Sequence, residues 1–533
     1  MTREAGRRHA VLVGAGILCS RIFGLVRQRV FSHYFGLSDA ADIFSSALRV
    51  PNFLQNLFGE GVLSASFIPV YARLLAQDKR EEASRLAGAI AAILAVGISL
   101  IVALGIVATP YLLWLIAPGY SGEKREMTIL IVRILFPGTG ILVWSAWCLG
   151  ILNSHHKFFL SYAAPVVWNL SMIVTLLVFR NVASETLIVY LAWGTVLGCV
   201  LQFLIQLGPV LKLVPGMKLR FDVQSIHVRQ VLGSFMAVAV GRGVVQISAF
   251  VDQAISTLLG RGAMAAMTTA ASINMLPISL FGMAISAAEL PTLSRMAGQG
   301  TEAGLRGLDA ATATSLSARL NDGLERIAFF IVPSAMAFFA LGNVLVAALY
   351  QSGEFTRKDS LYVWAIIAGS GVGLLASTFG RLYSSTYYAL RDTRTPLRFA
   401  LVRLVVTAAL GLASALLLPG MLGISPQWGT AGLTASAGIA GWVEFHLLRR
   451  KMNRTLGRTG VSVSTMAKLW SAACLAALVA CAIEYLVPGY GPIITAIYVL
   501  GIYGITYFAL TYLMHIPECE ALFAKVLRRL GRR

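Results

Sequence analysis

The sequence predicts an all-α polytopic membrane protein of about fourteen transmembrane helices, arranged as two six-helix lobes followed by two C-terminal helices. Three observations predict it. Of the 533 residues, 57% are hydrophobic and 13% charged, with a mean hydropathy of +0.74; soluble domains carry about 25% charged residues. Apolar stretches of about 20 residues or more, enough to cross a hydrocarbon core, recur along the whole length. One segment recurs: "SASFIPVYARLLAQ" (64–77) returns as "SAAELPTLSRMAGQ" (286–299), with Ser, Ala, Pro, Arg and Gln in register. No stretch has soluble-domain composition, so the chain reads as one membrane domain.

The expected spans are 9–34, 40–76, 83–117, 126–152, 158–180, 185–212, 227–258, 262–296, 321–350, 360–390, 396–418, 426–448, 464–487 and 491–514. The first follows a basic start (Arg3, Arg7, Arg8) and meets Arg21 before any small-residue cleavage pattern, so it reads as a helix and not as a cleavable signal. Several spans exceed the minimum length, which predicts tilt or kinking. Pro51, Pro137, Pro165, Pro277 and Pro333 fall inside spans, where neighbouring protein can re-satisfy a freed carbonyl. Six scattered cysteines (Cys19, Cys148, Cys199, Cys474, Cys481, Cys519) have no metal-ligand spacing and read as small packing residues.

Lysine and arginine set the orientation. With the N-terminus inside, the cytoplasmic loops hold Lys79, Arg80, Arg85, Lys157, Lys212, Lys218, Arg220, Arg229, Arg295, Arg306, Arg391, Arg394, Arg398 and the run "RRKMNRTLGR". The opposite loops offer only Lys124, Arg125, Arg180, Arg261, Arg357 and Lys358. This is the positive-inside pattern, and an even number of spans puts the basic tail "KVLRRLGRR" inside as well. The expected location is a bacterial cytoplasmic membrane with both termini cytoplasmic. The net charge of +20 is then mainly a topology signal with some attraction to anionic lipid; no soluble basic domain exists to present to nucleic acid.

The second copy of the repeat comes six spans after the first. Six is even, so the two halves share one orientation and are related by a pseudo-two-fold along the membrane normal. Parallel repeats of this kind mark secondary transporters, with the substrate path between the halves. The expected division is 1–215, 216–455 and 456–533, the last part lying outside the repeat.

The polar residues point to the cargo. "GAGILCSRIFGLVRQRVFSHYFG" (14–36) carries Arg21, Arg27 and Arg29 within an apolar run, and each arginine at a helix centre costs roughly 2.5–3.5 kcal/mol. Arg21 and Arg27 stand about 9 Å apart along the axis and about 120° around it, a separation suited to a wide cavity. In the second span, Asp42, Ser45, Ser46, Arg49, Asn52, Asn56, Glu60 and Ser64 share one face. Such a stripe faces water or another polar stripe, never lipid. Pro51, Gly59 and Gly61 bracket a bend near Glu60. Guanidinium groups suit phosphate and carboxylate oxygens, so several of them around a cavity make an anion trap, and a stripe this long suits a large amphiphile with an anionic head. The structural alternative has Asp42 and Glu60 neutralising buried arginines to hold helices together, and Arg29, nearer the outer surface, snorkelling.

"SRIFGLVRQ", "DAADIFSSALRVPNFLQNLFGEGVLSASFIPVYA" and "LYQSGEFTRKDS…YYALRDTRTPLRFAL" resemble the MurJ/MviN family of lipid II flippases, within the superfamily of multidrug and oligosaccharidyl-lipid exporters. The resemblance covers the first twelve spans. It implies a central cationic cavity, a groove at the last two helices for the lipid tail, and alternating access that carries the undecaprenyl-pyrophosphate-linked peptidoglycan precursor to the outer leaflet. By the same resemblance, Arg21 and Arg27 match the first-helix arginines, Asp42 their acidic partner, Arg49 the basic residue before "PN", Glu60 the "EG" acid, and Asp252 an acidic or Asn position of the seventh helix. The chain departs from the pattern with Gln55 and Asn56 after "PN", with Ser272 where the eighth helix usually carries arginine, and with Thr407 and Gly411 in place of an Asn and an Asp that complete a sodium-like site in some members. Arg242, flanked by Gly241 and Gly243, is the candidate second-lobe cation.

The reading is a lipid II flippase. Its alternatives are a flippase for another polyprenyl-linked glycan, a membrane enzyme acting on such lipids, and a non-transporting relative. The external loops are too short to build an enzyme site. "GSGVG" (369–373) lies in mid-span and reads as helix packing. No phosphate-binding loop or metal cluster is present, so neither cofactor nor metal is expected. Expected partners are the lipid-linked substrate, membrane lipids and cell-wall synthesis proteins, with the chain itself a monomer.

Overall fold

The computed structural model describes residues 3–58, 60–298, 310–487 and 490–530. Twenty α-helices are described: α1 Arg3–Phe35, α2 Asp39–Phe58, α3 Glu60–Ala76, α4 Arg80–Ile116, α5 Gly122–Ser154, α6 Phe158–Ala163, α7 Pro165–Val178, α8 Ser184–Leu213, α9 Ile226–Thr257, α10 Ala263–Pro277, α11 Ala284–Gly298, α12 Ala310–Ala340, α13 Gly342–Tyr350, α14 Arg357–Ala389, α15 Arg394–Leu412, α16 Leu418–Leu422, α17 Gly429–Leu456, α18 Val463–Leu486, α19 Pro492–Leu513 and α20 Pro517–Leu530. Each expected span is helical over most of its described residues. Ten described helical stretches are long and apolar enough to cross a membrane; the first, second, seventh and twelfth expected spans fall outside that set, three of them being the spans that hold the arginines and acids of the polar constellation.

Proline explains the interruptions. Pro165 does not kink the fifth span from within: it opens α7 after a one-residue break at Ala164, because its fixed φ and missing N–H suit a helix start. Pro277 leads into a π-helical segment, Ile278–Met283, and another, Ala413–Leu417, follows α15. Where proline sits mid-helix, the carbonyl four residues back loses its donor. In α4, Pro110 frees the Ile106 carbonyl, which accepts from Arg133 Nε at 3.3 Å. In α12, Pro333 frees the Phe329 carbonyl, which accepts from Tyr507 Oη at 2.7 Å, while Tyr503 donates to Pro333 O at 2.7 Å. α19 is thus tied to α12 at its internal proline.

By packing, the chain forms two compact units: residues 1–265 with 352–355, and 266–351 with 356–533. The seventh span, α9, groups with the first unit, where the sequence division at 215/216 counts spans and not contacts. Within the first unit α5 is the hub, its side chains enclosed with Phe67, Tyr71, Trp147 and Phe136 among the largest fully buried. The "QSGEF" motif contributes a four-residue strap: Glu354 N donates to His33 O at 2.9 Å, and Gly353, at φ +56°, lies so close to His33 that a Cβ would be 2.3 Å from its carbonyl oxygen.

The second unit is built on α14 and α17. A Cβ on Gly373 would lie 2.3 Å from Gly438 Cα, so this pair lets the two backbones touch. Trp442 Nε1 then reaches across to Val372 O at 2.8 Å. The glycines of "GSGVG" are helix-packing residues.

Candidate functional site

In the first unit the arginines of α1 separate. Arg21 is exposed, Arg29 is half-buried, and Arg27 is half-buried over the Trp168 ring, 5.4 Å from its centroid, with Nη1 4.0 Å from Met172 Sδ. The α1–α7 contact therefore fixes the direction of Arg27 by a cation–π interaction. Arg49 of α2 is half-buried, and its electrostatic neighbours are Asp252 of α9 and Tyr120.

Asp42 is fully enclosed, at 0% exposure. It accepts from Lys124 Nζ at 2.8 Å, Gly262 N at 2.7 Å and Ala265 N at 2.9 Å. The two amides belong to the first turn of α10 and the residue before it, where a helix presents unpaired N–H groups and partial positive charge. Lys124 also meets Asp39 Oδ1 at 2.7 Å, and Arg261 Nε stands 3.5 Å from Asp39 Oδ2. Beneath this clamp Ser46 Oγ and Tyr120 Oη are 2.8 Å apart. Lys124 and Arg261 are two of the few cations of the opposite loops, and the structure uses both on the acids that open α2.

The rest of the stripe is graded. Ser45 and Ser46 are buried, Asn52 and Gly61 half-buried, and Asn56 exposed. Gly59 and the side chains of Pro51, Glu60 and Arg242 lie outside the described residues, so the bend and the candidate second-lobe cation do too. In the second unit, Ser272 Oγ donates to Thr269 O at 2.6 Å and lies 2.8 Å from Tyr350 Oη. Thr407 is buried on α15.

Sequence reasoning missed two charged groupings of the second unit. Arg403 Nη1 pairs with Glu444 Oε2 at 3.1 Å. Glu289, whose side chain is 4% exposed, holds Arg319 through two bonds (2.6 and 3.1 Å) and Arg326 at 3.4 Å. A signal for the latter was available: Glu289 lies inside the repeat, where the first copy has Phe67.

Comparison with known proteins bears on all of this. A family model described as lipid II flippase MurJ matches residues 31–508. A probable lipid II flippase MurJ of Rhizobium tropici is 29% identical over 81% of this chain and 78% of its own length. The lipid II flippase MurJ of Burkholderia cenocepacia is 28% identical over 83% and 82%. Among solved structures, a lipid II flippase MurJ in an inward closed conformation superposes with a TM-score of 0.76 at 22% identity, covering 95% of this chain and 99% of that one. An inward-facing multidrug transporter of the MATE family gives 0.67 at 18% identity, covering 83% and 96%.

Proposed function

This chain belongs to the MurJ family of lipid II flippases, and on that premise we propose how its own residues serve the translocation of lipid II. The family match over 31–508 carries the assignment. The protein is a multi-pass membrane protein of a transporter family with a lipid-linked substrate. In our reading it sits in the bacterial inner membrane with both termini cytoplasmic, as the distribution of lysine and arginine supports. Arg21, Arg27 and Arg49 receive the diphosphate of the substrate, and residues 1–215 and 216–455 act as the two lobes of alternating access.

The chemistry supports this division of labour. Arg27 is directed by an aromatic face, with its guanidinium over the Trp168 ring. Asp42 already has three donors, so neutralising the α1 arginines is not its task. The test is replacement of a host's depleted lipid II flippase by this chain. The wild type should sustain growth, and Arg27→Ala should abolish growth while the protein still accumulates in the membrane. Arg27→Lys should recover part of it, since charge remains without the fork. Disappearance of Arg27→Ala from the membrane would give the residue a structural role instead.

A further inference from the structure

We propose that Glu289, Arg319 and Arg326 form a phosphate seat in the second unit, at headgroup depth, for a phosphate-bearing lipid headgroup. The first argument is the repeat. Phe67, the counterpart of Glu289 at the fixed offset of the repeat, is 0% exposed and belongs to an ordinary apolar core. The fold therefore accepts a hydrophobic residue at this place and does not require an acid. Replacing buried ion pairs by well-packed apolar residues is often neutral or stabilising, so stability alone does not account for a carboxylate and two guanidinium groups here.

The second argument is stoichiometry. Arg319 alone satisfies both oxygens of Glu289, Nε to Oε2 at 2.6 Å and Nη2 to Oε1 at 3.1 Å. Arg326 adds one longer contact, Nη1 to Oε1 at 3.4 Å. One carboxylate with two guanidinium groups leaves a net charge of +1, and the arginine side chains are 34% and 50% exposed. Glu325 and Asp322 lie between the arginines in sequence, but the electrostatic neighbours of Glu325 are Asp322 and Glu518. Glu289 is thus a positioning residue: it holds two forks side by side with donors left over, the arrangement that takes tetrahedral phosphate oxygens.

The third argument is depth. Arg326 immediately precedes residues 327–350, a run without a charged side chain. It therefore marks the border between hydrocarbon and headgroups, at the end of the unit where the basic loops gather. Phosphates of lipids stand at that level. The geometry sets the chemistry of the ligand; the flippase reading bears only on whether the cargo or the surrounding bilayer supplies it.

The experiment uses the full chain, purified and examined by native mass spectrometry with undecaprenyl diphosphate, phosphatidylglycerol or phosphatidylethanolamine added. Arg326→Gln leaves the Glu289–Arg319 pair intact and should lower retention of undecaprenyl diphosphate about tenfold, the loss expected for one charge-assisted contact. Arg326→Lys should recover part of it, and both variants should melt near the wild type. If phosphatidylglycerol displaces the diphosphate at equal concentration, the seat takes bilayer phosphate; if it does not, the cargo is the ligand. Equal retention of every lipid by wild type, Arg326→Gln and Arg319→Gln would overturn the seat. Complementation separates the two readings: growth on the wild type with unchanged retention sinks the seat alone, and no growth with Arg326-dependent retention sinks the cargo assignment alone.

Discussion

Asp42 in the first unit and Glu289 in the second are both enclosed carboxylates, yet they are held in opposite ways. Asp42 is met by a lysine and two backbone amides, with Lys124 shared with Asp39. Its charge closes a clamp that joins the start of α2 to α5 and the start of α10. Glu289 is met only by side chains, and those bring more positive charge than it can neutralise. The contrast teaches that a buried acid is not one kind of feature. Where backbone amides surround it, it organises the chain; where surplus guanidinium groups surround it, it organises them for something else.

The comparison breaks most easily at Asp42. Asp42→Ala leaves two amides without their acceptor and Lys124 with Asp39 alone, and removing one partner of a buried pair costs about 3–5 kcal/mol. Thermal unfolding of the purified variant should show a large fall, with little protein reaching the membrane. A melting temperature near the wild type would mean the clamp is dispensable. At the second acid the expectation reverses. Glu289→Phe, which restores the residue of the first repeat, combined with Arg319→Leu should change stability by no more than about 2 kcal/mol, in either direction. Collapse of that double variant would make the two acids equivalent and end the contrast.

A smaller effect sharpens the same point outside the membrane. Between α14 and α15, burial of Asp392 works against its charge. Hydrogen bonds from the Thr395 side chain and backbone, with Lys451 3.7 Å away, outweigh burial and hold the carboxyl below the usual aspartate range. A depressed folded value means the contribution is complete above the unfolded value, about 3.9, and is lost as pH falls through the lower folded one. Asp392→Asn should therefore melt slightly lower than the wild type at pH 7, and the difference should shrink in melting scans as the pH falls below the unfolded aspartate value. A pH-independent difference would show that the carboxylate charge is not what holds this turn.

Much of the fold was legible because a bilayer demands long apolar runs, and these leave clear marks in sequence. Span positions and the packing role of Gly369 and Gly373 were read there. The break at Ala164 was not legible as a break, since proline is compatible with both a kink and a start. In the site, α1 and α2 announced themselves by carrying charge where charge is costly. The partners of Asp42 did not, because Gly262 and Ala265 lie 220 and 223 residues away and act through their backbones, which no side-chain pattern records. Lys124 was visible, but only as a loop charge. Glu289 stood in plain view within the repeat; its meaning required Arg319 and Arg326, 30 and 37 residues on, to be brought to it.

The tyrosine ties at Pro333 of α12 also bear on how the chain is made. Tyr503 and Tyr507 lie 170 and 178 residues after the carbonyls they serve. At about 5–20 residues per second of synthesis, the Phe329 carbonyl waits roughly 10–35 s for Tyr507 to leave the ribosome. An unpaired carbonyl in hydrocarbon is costly, so during that interval the Phe329 carbonyl needs water or another donor. Release of the nascent chain before residue 507 would leave the Phe329 carbonyl without the donor that replaces the missing Pro333 N–H.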